Sequence, residues 1–97
     1  MSEIIINAVL KAKPGKGELL RTELLNIIEA SRAEDSCLQY TLHESVENND
    51  TFVFYERWKD EKALATHIET DHYKHYRQQT EQLLEKRDVY RLQIITP

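Results

Sequence analysis

From Glu3 to Ala12, Ile4, Ile6, Ala8 and Leu10 alternate with Ile5, Asn7 and Val9, the two-residue period of a strand. Lys13-Pro14-Gly15 ends it, because proline has no ladder donor and glycine accepts the turn. Over about Lys16 to Arg32 the period lengthens to that of a helix. Leu20, Leu24, Ile27, Ile28 and Ser31 fall on one stripe, with Glu18, Thr22, Glu29 and Arg32 toward water. The polar stretch Ala33 to Ser36 turns the chain. Cys37 to Val46 alternates again, setting Leu38, Tyr40 and Leu42 against Gln39, Thr41 and His43. Asn48-Asn49-Asp50 is turn chemistry and predicts an antiparallel hairpin with the aromatic and β-branched run Phe52 to Trp58.

Lys59-Asp60 breaks that strand, and a helical spacing places Ala63, Leu64, His67 and Ile68 on one side. Thr70 is suited to cap a further helix, on which Tyr73, Tyr76, Thr80 and Leu83 share a side. The helical stretch is expected to end at Asp88. Val89 to Thr96 then reads as a last strand with Tyr90, Leu92 and Ile94 on one face. The order β-α-β-β-α-α-β predicts an α+β, ferredoxin-like split βαβ fold with a four-stranded antiparallel sheet.

Helices can cover only one face of such a sheet. The richer face is assigned to Ile4, Ile6, Ala8 and Leu10, to Leu38, Tyr40 and Leu42, to Phe52, Phe54 and Trp58, and to Tyr90, Leu92 and Ile94. The opposite face still carries Ile5, Val9, Val53, Tyr55 and Val89. That much apolar surface predicts a covering partner, most simply a twofold homodimer packed sheet on sheet. The alternative is a monomer with a half-polar open sheet.

Composition narrows the classes. Ninety-seven residues are expected to form one domain, 1–97, with a modest core. A net charge of −4 without a Lys/Arg cluster argues against nucleic acid, which needs a basic face. No apolar run approaches the roughly 20 residues of a membrane span. Met1 to Ile6 lacks the basic start and apolar stretch of an export signal, and a single cysteine, Cys37, fits a reducing compartment, so a cytoplasmic location is expected. The charge-dense runs Lys59 to Lys62 and Glu81 to Asp88 read as solvated surface.

Chemistry concentrates between Phe52 and Tyr76. A strand delivers Trp58 to the start of a helix that carries His67 on its apolar stripe. An imidazole beside aromatic surface suits a small pocket for an organic ligand. His67 near neutral pKa can take a proton from a phenol or polarise a carbonyl; the plainer reading is a core histidine bonded to a backbone carbonyl or to Glu56. Trp58, Tyr40, Tyr73 and Tyr76 can line a pocket or simply fill a core. Glu56, inside an apolar strand, can pair with a base, cap a helix or transfer a proton. His72 and His75 lie one turn apart, but their spacing matches no strong zinc motif and no metal is expected.

Glu56, Trp58, Ala63-Leu64, His67 and His72 together resemble the signature of the antibiotic-biosynthesis-monooxygenase (ABM) family, and the likeness extends to Lys11-Ala12-Lys13-Pro14-Gly15 and Cys37-Leu38-Gln39-Tyr40. Family members usually have Gly where this chain has Ser36. The resemblance implies a dimeric α/β barrel. It also implies activities ranging from oxidation of polyketides or quinols to haem degradation and isomerisation of a phosphorylated signal. The first two are thought to proceed without flavin or metal, the substrate's own carbanion reducing oxygen. The polyketide oxidisers pair the equivalent of Trp58 with an Asn and a Tyr where this chain has Phe54 and Leu64, which makes its pocket more apolar. Haem degraders use a Trp where this chain has His67, so haem is not expected. The isomerase shares the runs Tyr55-Glu56, Lys59-Asp60-Glu61 and His72-Tyr73-Lys74, but no basic pocket for a phosphate is foreseen.

The expectation is therefore a cofactor-independent monooxygenase acting on a small quinol-like or polyphenolic substrate, with molecular oxygen as co-substrate. His67 is the expected base. Trp58, Tyr40, Tyr76, His72, Phe54 and Leu64 are the expected pocket. The alternatives are an isomerase of a small oxygenated metabolite and a non-catalytic ligand-binding or stress dimer.

Overall fold

A computed structural model describes residues 3–97. Four strands, β1 (Ile4–Ala12), β2 (Cys37–Glu44), β3 (Thr51–Trp58) and β4 (Leu84–Leu92), form one antiparallel sheet in the order β2-β3-β1-β4. Four helices, α1 (Gly17–Asn26), α2 (Ile28–Arg32), α3 (Glu61–Ile68) and α4 (Asp71–Thr80), complete an α+β ferredoxin-like fold. None of them is long and apolar enough to cross a membrane.

The sequence boundaries hold at both ends of β1 and β3 to within a residue, and Gly15 takes the left-handed backbone (φ 78°) that its turn requires. The first helical stretch is divided at Ile27, whose φ of −91° and ψ of −14° leave the regular helix. That break still keeps Leu20, Leu24, Ile27 and Ser31 buried on one side. The second strand stops at Glu44 rather than Val46, because Ser45 turns the chain by accepting the amide protons of Glu47 and Asn48.

The largest departure is at the C-terminal end. The helix ends at Thr80, and β4 begins at Leu84, inside the charged run that reads as surface. It pairs with β1 as Leu10↔Arg87, Ala8↔Val89, Asn7↔Tyr90 and Ile5↔Leu92. Paired residues share a face, so Arg87, Val89 and Arg91 point to the helices, and Tyr90 and Leu92 to the other side. That is the reverse of the assignment from alternation alone. Tyr90, Leu92 and Ile94 are 52%, 44% and 72% exposed, outside the helix-covered core. Leu38 also leaves that face, because a bulge between Cys37 and Gln39 turns it outward.

Under α1 and α2 the core is dense and mostly aliphatic: Leu10, Leu20, Leu24 and Ile27, with the aromatic Phe52, are each at most 2% exposed. Under α3 and α4 it is aromatic, built on Tyr40, Phe54, Trp58 and Tyr76.

Candidate active site

The corner between α3 and α4 is fixed by its caps. Asp60 accepts the Ala63 amide proton at 2.8 Å and starts α3, which buries Ala63 and His67, one turn apart on the sheet side. Thr70 caps α4 as the sequence predicts. Its hydroxyl accepts from the Tyr73 amide at 3.2 Å and donates to the His67 carbonyl at 2.7 Å. One side chain thus ties the end of α3 to the start of α4, setting His67 and Tyr73 against one another with ring centroids 5.0 Å apart.

His67 is 1% exposed, and its ring lies against the Trp58 indole at a centroid distance of 4.3 Å. Its Nδ1 is 2.7 Å from Oε2 of Glu34, which also lies 2.7 Å from Nε2 of His72. A carboxylate can only accept, so both imidazoles donate to it, and the hydrogen of neutral His67 resides on Nδ1. Its Nε2 is then a lone-pair acceptor, and it is buried without a hydrogen-bond partner among the described residues. Burial lowers the His67 pKa, and the Glu34 hydrogen bond and charge only partly offset this. The ring is therefore held neutral, oriented and free at one nitrogen.

Glu56 pairs across the sheet with Ile6 and Tyr40 and faces the helices. Its Oε1 accepts from the Trp58 indole at 3.0 Å. Burial pushes its pKa to about 7, against the opposing pull of the indole hydrogen bond and of the Arg87 charge. Burial also raises Tyr40 far above the ordinary phenol value and moves Tyr76 up to about 12, so both keep their hydroxyl protons at neutral pH. Cys37 is raised as well, chiefly by burial and then by Glu34 and Glu56, which leaves it a poor nucleophile.

These groups surround a cavity of about 190 Å³ between the sheet and α3/α4. Ile6, Ala8, Val89, Leu64 and Ile68 give it apolar walls; His67, Glu56, Arg87, Tyr40, Tyr73 and Tyr76 supply the polar ones, with Arg91 at the rim. Of the residues singled out from sequence, Tyr40, Glu56, Leu64, His67, Tyr73 and Tyr76 meet here. Trp58 does not line the cavity but backs His67, and Phe54 backs Tyr40 and Tyr76 with centroids 4.9 and 6.2 Å away. His72 lies on the far side of His67, joined to it through Glu34. Sequence reasoning missed Glu34, hidden in a polar turn, and Arg87, hidden in a charged run. The only signal for Arg87 was the register of β4. The donor atoms of Glu34, His67 and His72 lie within 4.8 Å of one another and form a set a divalent ion could share. His72 and His75, one turn apart in sequence, do not form such a set together.

This sequence and fold have counterparts in known proteins. The sequence profile of the antibiotic biosynthesis monooxygenase family matches residues 3–79. YcnE of Bacillus subtilis (strain 168), provisionally named a monooxygenase, is 40% identical over 81 residues, covering 84% of this chain and 85% of its own. Rv0793 of Mycobacterium tuberculosis, named in the same way, is 35% identical over 83 residues, 86% of this chain and 81% of its own. The crystal structure of PA3566 from Pseudomonas aeruginosa superposes with a TM-score of 0.94 at 32% identity, covering 99% of this chain and 97% of that one. The chain belongs to the antibiotic biosynthesis monooxygenase family.

Proposed function

We propose that this protein is a cofactor-independent monooxygenase that hydroxylates a small quinol-like substrate with molecular oxygen, His67 acting as general base. The observation that carries this reading is the unpartnered, buried Nε2 of His67 on a cavity wall, with Nδ1 occupied by Glu34. A neutral imidazole in that state can take a phenolic proton. The resulting electron-rich ring forms a carbon–oxygen bond with O₂. Loss of the ring proton and cleavage of the O–O bond then release water and leave a hydroxyquinone. The substrate supplies the electrons, one oxygen atom enters the ring and the other departs as water. Tyr40 and Tyr76, protonated at neutral pH, are among the hydrogen-bond donors in the cavity lining able to meet developing negative charge on oxygen, together with Arg87.

A volume of about 190 Å³ favours one ring over a fused polyphenol, since pockets for drug-sized ligands run to roughly 300 Å³ or more. In this reading the molecule is a cytoplasmic homodimer. Its outer sheet face, where Tyr90 and Leu92 stand half exposed beside Ile5, is covered by a second copy. Oxygen uptake with a panel of hydroquinones tests the activity: the wild type should consume oxygen and His67→Ala should not. Glu56 on the sheet wall and His67 on the helix wall also suit an isomerase, with one group taking a proton and the other returning it. Anaerobic rearrangement of a substrate without oxygen uptake would replace the first reading with that one. Tight binding without turnover, indifferent to His67→Ala, would leave a binding protein.

A further inference from the structure

The cavity wall carries a cation that the fold does not neutralise. Arg87 lies on the helix side of β4 opposite Leu10, half-buried, with its guanidinium on the cavity. Its Nη2 donates to the Tyr73 hydroxyl at 3.2 Å, while its Nε is buried without a partner. Among the described residues no carboxylate oxygen lies within 4 Å of it. Arg91, two residues further along the same face, is paired with Glu61 at the surface. Taking a guanidinium out of water without a counter-charge is costly, so an unpaired one in a cavity marks where an anion belongs. Glu56 on the same wall does not fill that place, since its carboxylate is engaged by the Trp58 indole and it retains its proton up to about pH 7.

We infer that the cavity takes a small organic monoanion, a carboxylate on a single ring or a skeleton of similar size, with Arg87 as its counter-ion. The planar guanidinium fork matches a carboxylate in two parallel hydrogen bonds. The Tyr73 hydroxyl beside it offers a further polar contact. A volume of about 190 Å³ accepts one ring with its carboxylate. A phosphate monoester, with close to two negative charges, would meet stronger repulsion from Glu56 whenever that group ionises. This specifies the substrate class of the proposed oxygenase site, and it rests on that reading only for the identity of the cavity.

The test measures binding without oxygen, so that turnover plays no part. The whole chain is titrated calorimetrically with 4-hydroxybenzoate, 4-hydroxybenzamide and phenyl phosphate. The wild type should bind the acid on the order of ten-fold tighter than the isosteric amide. Arg87→Gln should bring the two together, Arg87→Lys should restore part of the gap, and Arg21→Gln, at a guanidinium paired with Glu44 away from the cavity, should leave it intact. Thermal melting checks that each variant folds, and the lysine variant carries the comparison if the glutamine variant does not. Equal affinity for acid and amide, no binding of either, or a preference that survives Arg87→Gln would overturn the inference. Tighter binding of phenyl phosphate than of the benzoate would overturn the choice of carboxylate. Loss of the acid preference alongside oxygen uptake from neutral hydroquinones would leave the oxygenase reading standing; retention of the preference without any uptake would do the reverse.

Discussion

The two ends of this sheet are covered by helical pairs of similar length but opposite chemistry. Under α1 and α2, Leu10, Leu20, Leu24, Ile27 and Phe52 fill the space with groups that cannot ionise, and nearly all of their surface is removed from water. Under α3 and α4 the filling is Tyr40, Glu56, His67 and Tyr76, and a hollow remains. Dense aliphatic packing supplies stability through area removed from water and through contact. A wall of titratable groups cannot collapse in the same way, because each needs a partner or room for one. The aliphatic side thus holds the chain together while the other side is left free to hold a ligand.

Four expectations put that contrast at risk. The largest effect is assigned to His67→Ala, which should lower kcat/KM for a responsive hydroquinone by about 10²–10⁴-fold, the usual contribution of a general base. Steady-state oxygen uptake measures it, and a loss below ten-fold would remove His67 from the chemistry. On the opposite side, Leu24→Ala should destabilise the fold by roughly 2–5 kcal/mol through a cavity in packed aliphatics. Urea unfolding reads that loss, and turnover per folded molecule should not change. A parallel fall in turnover would mean the two sides are mechanically coupled, with Tyr40 the evident link.

Glu56 comes next. The unfolded chain releases this proton near 4.5 and the folded protein near 7, so between those values the folded state holds the proton more tightly. The stability this contributes is fully present below about 4.5 and lost progressively as pH rises to about 7, up to about 3 kcal/mol in all, of which about 2 kcal/mol falls above pH 5.5. Urea melts at pH 5.5 and 8.5 should show it in the wild type and not in Glu56→Gln, whose amide can still accept from the Trp58 indole. Identical profiles for the two proteins would mean that Glu56 titrates in an ordinary environment. The smallest effect is expected for Glu34→Gln. Losing one charge-assisted hydrogen bond should cost about ten-fold in kcat/KM. Glu34 raises the His67 pKa against the burial that lowers it, so its removal should move the acid limb of the rate profile further below the ordinary histidine value of 6.5. A limb that stays in place or rises would exclude Glu34 as the partner that tunes this imidazole.

How much of this was legible depended on whether the signal was local. Alternation located β1 and β3, helical spacing put His67 on a buried face, and Thr70 announced its cap, since each depends on residues within a few positions. Leu84 to Leu92 misled because Glu85, Lys86, Arg87 and Asp88 resemble solvated surface. An edge strand tolerates such charges, and they help keep it from pairing with other chains. Its register, and with it the inward turn of Arg87, was settled by β1, more than seventy residues earlier in the chain. Glu34 had no local signature at all: its partners lie 33 and 38 residues away and reach it only after the sheet has formed.

The position of β4 at the rim of the sheet also bears on how a guest molecule comes and goes. Ile68, Val89 and Arg91 are the cavity residues that solvent reaches most freely, the first at the end of α3 and the other two on this outermost strand. The doorway is therefore framed on one jamb by a strand whose outer edge has no neighbouring strand among the described residues. Any chain that zips onto that edge stands at the threshold, so assembly and traffic through the opening share the same few residues.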